Sequence, residues 1–315
     1  MVRSDVEAAR VRLAGRVRHT PIWPADPGGA PLWFKHEYLQ LTGTFKARGA
    51  FNRILAAQAD GRLDPAVGIV VASGGNAGLA NAYAARAVGI PATVFVPERA
   101  PRVKVERLRA YGARVVAIGS EYAEAAQAAF DFAGESGAVL NHAYDQLEIV
   151  AGAGTLGLEI AADLAGQVDT VIVAVGGGGL LAGVAAALEG QARVIAVEPM
   201  QAPTLHAALA AGGPTEVAVG GVAADSLGAR RVGNLAWAVA TRTGVASLLV
   251  EDEEIVRARQ HLWDEYRIVV EHGAATAFAA VLCGAYRPTE GERVVVVLCG
   301  ANTDPADLSG PIGSR

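Results

Sequence analysis

The 315-residue chain reads as an α/β protein built on two open, twisted, mostly parallel sheets covered by helices. Three observations give that class. The apolar runs are continuous Val/Ile stretches, not alternating ones, which marks strands buried on both faces. Helical stretches separate them, as the crossovers of a parallel sheet require. Most runs also end at a glycine-bearing turn. In order, Leu32 to Lys35 is a first short strand, and Leu41 to Ala50 opens an apolar helix. Gly68 to Ala72 is a strand running into Ser73-Gly74-Gly75-Asn76, followed by an Ala-rich helix to Val88. Ala92 to Val96 is a strand stopped by Pro97, which lacks the N–H a ladder needs. Pro101 opens a helix to about Ala110. Ala113 to Ile118 is a strand and Glu121 to Ala133 a helix. Thr170 to Val175 runs straight into Gly176 to Gly179, and Arg193 to Val197 and Arg293 to Leu298 are two more strands. The units form two groups. The strand before residue 46 can join the later one. We therefore expect residues 1–49 and 146–315 to form a larger domain and 50–145 an inserted, smaller, mobile one.

Hydrophobic residues make up 52% and charged residues 19%, enough for a large core and incompatible with disorder. The net charge of -5 comes with no basic stripe, so nucleic acid is not an expected partner. The N-terminus lacks a signal-peptide core, and no apolar run reaches membrane-spanning length. A soluble, cytoplasmic protein is expected, with no membrane partner. Cys283 and Cys299 form no disulfide framework or zinc pattern. The six histidines show no metal spacing and read as surface or helix-end residues. Cys283 reads as apolar-helix core.

Lys46 stands out, because the chain has three lysines against 24 arginines. It lies in Leu41-Thr42-Gly43-Thr44-Phe45-Lys46-Ala47-Arg48-Gly49-Ala50. Arginine stays protonated, whereas a desolvated lysine can lose its proton and attack a carbonyl. Two loops add to this. Gly176 to Gly179 joins a strand to a helix, so its N–H groups and the helix dipole can hold an anion. A tight structural turn explains an isolated glycine cluster equally well. A Walker loop is excluded because no Gly-Lys-Ser/Thr follows, and the dinucleotide fingerprint fits poorly. Ser73-Gly74-Gly75-Asn76-Ala77-Gly78 suits a carboxylate, although Ser73 or Asn76 could simply cap the helix. Cys299 ends the last strand in Cys299-Gly300-Ala301-Asn302. Ligands of open α/β sheets bind at such carboxyl ends.

Together with Val270-Glu271-His272-Gly273-Ala274-Ala275, these segments resemble the fold-type II pyridoxal-phosphate enzymes of the tryptophan synthase β-like superfamily, specifically the serine/threonine dehydratases. The resemblance spans nearly the whole chain. It implies pyridoxal 5'-phosphate in the cleft between domains, attached to Lys46 as a Schiff base. It implies Phe45 against one ring face and Ser226 near the other, Gly176, Gly177, Gly178 and Gly179 around the phosphate, and Asn76 on the phenolic oxygen. Cys299 would face the pyridine nitrogen. Ser73, Gly74, Gly75, Asn76 and Ala77 would hold the substrate carboxylate. It implies an ammonia-lyase of amino-acid metabolism, acting as a homodimer on L-serine or L-threonine to give a 2-keto acid and ammonia. A thiol beside the ring nitrogen leaves it unprotonated and a weaker electron sink, which suits prompt elimination.

The chain departs from the family in four places. Gly74 stands where serine racemases carry an acid/base serine, so racemisation should be poor. Glu198 matches one acid of a divalent-cation pair, but Thr204 stands in place of the second, so no metal is expected. His272 replaces a usual proline. The regulatory domain of biosynthetic threonine deaminases does not fit in the length, so end-product feedback is not expected. Rival readings are a dehydratase of a bulkier 3-hydroxy amino acid, another β-elimination or β-replacement enzyme, and a non-catalytic amino-acid or cofactor-binding module. A retained Lys46 argues against the last.

Overall fold

The computed structural model describes residues 1–25 and 31–308. Helix α1 (Arg3–Leu13) precedes strands β1 (Ile22–Pro24) and β2 (Leu32–Lys35), and α2 (Lys46–Ala59) follows. Next come β3 (Ile69–Ala72), α3 (Asn76–Val88), β4 (Ala92–Val96), α4 (Arg102–Ala110), β5 (Arg114–Ala117), α5 (Tyr122–Ser136) and β6 (Val139–Asn141). Helix α6 (Leu147–Asp163) leads to β7 (Thr170–Ala174), α7 (Gly179–Ala187), β8 (Arg193–Pro199), α8 (Thr204–Ala211), α9 (Ala224–Leu227) and α10 (Asn234–Thr243). Strand β9 (Ala246–Val250), α11 (Asp252–Tyr266), α12 (His272–Leu282) and β10 (Val294–Val297) follow.

Two sheets result, a six-stranded one ordered β1-β2-β10-β7-β8-β9 and a four-stranded one ordered β5-β4-β3-β6. All neighbours are parallel except β1 and β2. The early strand does join the later group: Val294 of β10 pairs with Leu32 on one side and Thr170 on the other. The runs Val294–Val297 and Thr170–Ala174 are wholly buried, as continuous apolar strands require. Strands β1, β6 and β9 lack such a run. Two have only three residues, and β9 is a half-exposed edge.

Helix α2 packs on both α3 and α6, so it straddles the expected boundary at residue 50. A Cβ at Gly49 would lie 2.8 Å from the Ile149 carbonyl, so only glycine permits the close approach to α6. A buried ion cluster fixes the same junction. Arg48 donates to Glu37 and Glu159 at 2.6 Å each, while Lys35 reaches Glu159 at 2.9 Å and Asp163 at 3.2 Å. Buried charges persist only when paired this fully.

Two expectations are corrected. Cys283 is exposed, because α12 ends at Leu282 and the chain turns out to solvent through Gly284. His36 is buried beside the rings of Trp23, Phe34 and Tyr38, and burial pushes its pKa down to about 4.

Candidate active site

The carboxyl ends of β3, β7 and β10 meet the start of α2. The segment before α2 crosses the end of β10: Thr44 bridges Gly300, Phe45 N–H donates to the Cys299 carbonyl at 3.1 Å, and Ala301 N–H donates to Gly43 at 2.9 Å. These bonds hold Lys46 beside Cys299. Lys35 and Lys104 are ion-paired, to Glu159 and Asp163 and to Asp225 respectively. Among the described residues Lys46 has no carboxylate partner. Its Nζ donates to the Ala143 carbonyl at 2.8 Å and lies 4.8 Å from the Phe45 ring centroid. Desolvation pushes its pKa down to about 8, against the opposing pull of Cys299 and Glu271.

A cavity of about 650 Å³ opens from Lys46, lined by Ser73, Gly74, Gly75, Asn76 and Ala77 on one side and by Tyr144, Gly177, Ser226, Arg230 and Arg231 on the other. A second space of about 40 Å³, sharing Lys46, Asn76, Tyr144, Gly177 and Ser226 with it, forms a slot bounded by Phe45, Gly176, Gly177, Gly178, Gly179, Ser226, Glu271 and Cys299. Lys46, Phe45, Ser73 to Ala77, Gly176 to Gly179, Ser226 and Cys299 therefore line these two adjoining pockets, whereas Glu198, Thr204 and His272 do not.

The glycine loop needs its glycines. Gly178 has φ +83°, and a Cβ there would lie 2.5 Å from that of Ala236. A Cβ at Gly177 would overlap the Tyr144 ring. On the facing wall, α3 begins at Asn76 with Gly75 as its N-cap and no side-chain cap. The capping alternative for Ser73 and Asn76 thus fails. The first-turn N–H groups of Asn76, Ala77 and Gly78 have no carbonyl within the helix. They, with the Ser73 hydroxyl, are donors for an anion.

Asn76 is more engaged than expected. Its Nδ2 donates to both Glu271 oxygens, at 2.9 and 3.1 Å, and its Oδ1 accepts from Asn302 Nδ2 at 2.8 Å. A ring oxygen would have to share this amide with Glu271. The buried Glu271 carboxyl is pushed up by desolvation, as is the Cys299 thiol. Sequence reasoning gave no role to Glu271, Asn302 or Tyr144. No motif spacing joins Asn76 to partners about two hundred residues away.

These residues fit pyridoxal 5'-phosphate: an amine with no carboxylate partner among the described residues, an aromatic wall, a loop packed too closely for any residue but glycine, and a buried thiol lining the slot. The family described as "Pyridoxal-phosphate dependent enzyme" matches residues 13–300. The chain belongs to this family. Phenylserine dehydratase of Ralstonia pickettii is 38% identical, across 98% of this chain and 96% of its own. L-threonine ammonia-lyase of Thermotoga maritima is 36% identical, across 95% and 75%. Among solved structures, maize serine racemase has a TM-score of 0.90 at 31% identity, covering 98% of this chain and 95% of its own. The processed form of threonine deaminase isoform 2 from Solanum lycopersicum has a TM-score of 0.87 at 28% identity, covering 97% and 85%. The chain is thus a pyridoxal-phosphate-dependent lyase of fold type II.

Proposed function

We propose that the cleft eliminates water from L-serine or L-threonine, giving pyruvate or 2-oxobutanoate and ammonia. The observation that carries this is an unpaired, desolvated Lys46 amine facing the uncapped start of α3 across one cavity. Pyridoxal 5'-phosphate would be held by Lys46, Phe45, Gly176, Gly177, Gly178, Gly179, Ser226 and Cys299, and would supply an electron sink for the charge left when the α-proton is removed. The protein's own residues do the rest. The Ser73 hydroxyl and the N–H groups of Asn76 and Ala77 bind the substrate carboxylate and so fix its Cα. Lys46, as the free amine, takes the α-proton onto Nζ; the resulting ammonium returns a proton to the β-hydroxyl as its C–O bond breaks, so water leaves, and a water molecule then hydrolyses the imine of the product to 2-keto acid and ammonia. Cys299, a thiol that burial keeps protonated, would offer the cofactor ring no anion. Gly74 presents no acid or base, so protonation from the opposite side is absent and little D-amino acid forms. Closure of the four-stranded layer over the substrate would exclude water from the cleft.

Threonine ammonia-lyases and biosynthetic and catabolic threonine dehydratases among the relatives support this reading. The width of the cleft, with Tyr122 and Tyr144 on its walls, favours a second reading, a bulkier 3-hydroxy amino acid such as the substrate named for the Ralstonia relative. The test is to incubate the holoenzyme with L-serine, L-threonine and L-threo-3-phenylserine and measure 2-keto acid, ammonia and product chirality. Keto acid and ammonia in equal amounts from serine or threonine are expected. Turnover of phenylserine alone selects the second reading, and no keto acid from any of the three sinks both. We also infer a cytoplasmic homodimer, from the family and from relatives named as enzymes of threonine metabolism. Light scattering at working concentrations checks the dimer.

A further inference from the structure

The glycine loop presents N–H groups to the slot only if its carbonyls point away. A trans peptide sets C=O and the following N–H in opposite directions. Each carbonyl of the first three glycines is tied back into the protein. Gly177 O accepts from Gly233 N–H at 3.0 Å, and Gly178 O accepts from Ala182 N–H at 2.9 Å. Both anchors are backbone. Gly176 is different: its carbonyl accepts from the Thr204 hydroxyl at 2.5 Å. Thr204 Oγ1 also lies 3.1 Å from Glu198 Oε1. Thr204 and Glu198 are both fully buried, at 0% exposure. Glu198 is itself immobilised by Leu205 N–H at 2.7 Å, His206 N–H at 2.8 Å and Ser247 Oγ at 2.8 Å. The carboxylate caps the first turn of α8 and leaves Thr204 at a fixed point below the loop.

We propose that Thr204 is a positioning residue for phosphate binding: its hydroxyl hydrogen goes to the Gly176 carbonyl and so aims the Gly177 N–H into the slot, while Glu198 fixes the first turn of α8 from which Thr204 projects. The linkage is one side chain deep and lies on the face of the loop away from the ligand. The loop's geometry is therefore set by α8 and β8 as well as by its own glycines. Glu198, which by resemblance belongs to a cation pair, here has its acceptors occupied by protein donors. Thr204 makes the contact to the loop directly.

This inference rests on the cofactor reading, and the test separates the two. Titrate apoenzyme with pyridoxal 5'-phosphate and, separately, with pyridoxal, following absorbance. Wild type binding neither would defeat the cofactor reading itself. Given wild-type binding, Thr204→Val should raise the Kd for pyridoxal 5'-phosphate by about tenfold or more, since a lost anchor misaligns charge-bearing hydrogen bonds. The Kd for pyridoxal, which has no phosphate, should stay within about twofold, and Thr204→Ser, which keeps the hydroxyl, should bind the phosphate form as wild type does. If Thr204→Val does not fold, Thr204→Cys, with a weaker donor, carries the same expectation. The proposal is overturned if the variant holds pyridoxal 5'-phosphate as tightly as wild type, if both ligands weaken in proportion, or if Thr204→Ser is as impaired as Thr204→Val.

Discussion

The single amine of Lys46 concentrates most of the chemistry. Its scarcity made it legible, since the chain keeps only three lysines. The structure adds why this one differs: the other two face carboxylates, while Lys46 faces a carbonyl and an aromatic ring. Lys46→Ala should abolish turnover, and borohydride reduction followed by peptide mapping should place the cofactor on Lys46 in wild type. Mapping to Lys35 or Lys104 refutes the assignment. The pKa near 8 gives a second expectation for the apoenzyme. Lysine reacts as the free amine. At pH 7 about one amine in ten is free with this pKa, against about one in 2500 for an unperturbed lysine. The rate of cofactor capture should therefore climb about tenfold per pH unit below 8 and level off above it; stopped-flow absorbance measures this, and a climb continuing to pH 10 contradicts it. His36 titrates for stability instead. Its folded pKa, about 4, lies below the unfolded value near 6.5, so protons bind the unfolded state more readily between those values. Stability should be full above pH 6.5 and fall on acidification, by roughly 2 kcal/mol at pH 5. His36→Leu should remove that part of the acid dependence in urea titrations at pH 7 and pH 5. Burial of His36 was invisible in the sequence, because it comes from the packing of Trp23, Phe34 and Tyr38 around it.

At the scale of elements, the strands with continuous Val/Ile runs and the two site loops could be read from pattern alone. The short or half-exposed strands β1, β6 and β9 could not, since three residues carry no period. The close packing of α2 on α6 at Gly49 was likewise unreadable, because it depends on which helices meet. The α3 loop is where structure changed the expectation most. Asn76 is the main side-chain partner of a buried carboxyl, Glu271. Asn76→Ala should thus lower both melting temperature and kcat/KM, with about 1–3 kcal/mol lost from stability. Ser73→Ala should leave melting unchanged and reduce kcat/KM about ten- to a hundredfold, through the lost carboxylate bond. An unaltered kcat/KM for Ser73→Ala means the carboxylate binds elsewhere. For the glycine loop, Gly178→Val forces a positive φ on a β-branched residue and drives it into Ala236. Dialysed protein should lose its cofactor, and full occupancy would reduce the loop to a structural turn.

For the molecule as a whole, α4 reaches from the smaller layer to the larger one. Lys104 pairs with Asp225, and Arg107 donates to Asn302 Oδ1 at 2.7 Å, flanking the mouth of the cleft beside Gly74 and Asn76. We expect these contacts to bias the layers toward closure. The Lys104 pair is partly exposed and is worth about 0–1 kcal/mol. Lys104→Met should therefore raise KM by less than about fivefold, leave kcat nearly unchanged and flatten the salt dependence of KM. A large fall in kcat would make Lys104 part of the chemistry instead.

The placing of β10 between β2 and β7 carries a kinetic consequence. The four-stranded sheet uses one contiguous stretch, from Ile69 to Asn141, and can form early. The larger sheet closes only when Val294–Val297 slots between β2, near the start of the chain with Leu32 some 260 residues upstream, and β7, in its middle. Such a contact meets a high loop-closure cost and folds slowly. Cys299 and Asn302 follow directly on that strand, so Lys46 has no completed neighbourhood until the last strand is home. Cofactor capture, with its absorbance change, is thereby a clock for the final event of folding. During refolding the yellow colour should appear with the slowest phase, after most of the helical circular dichroism has returned.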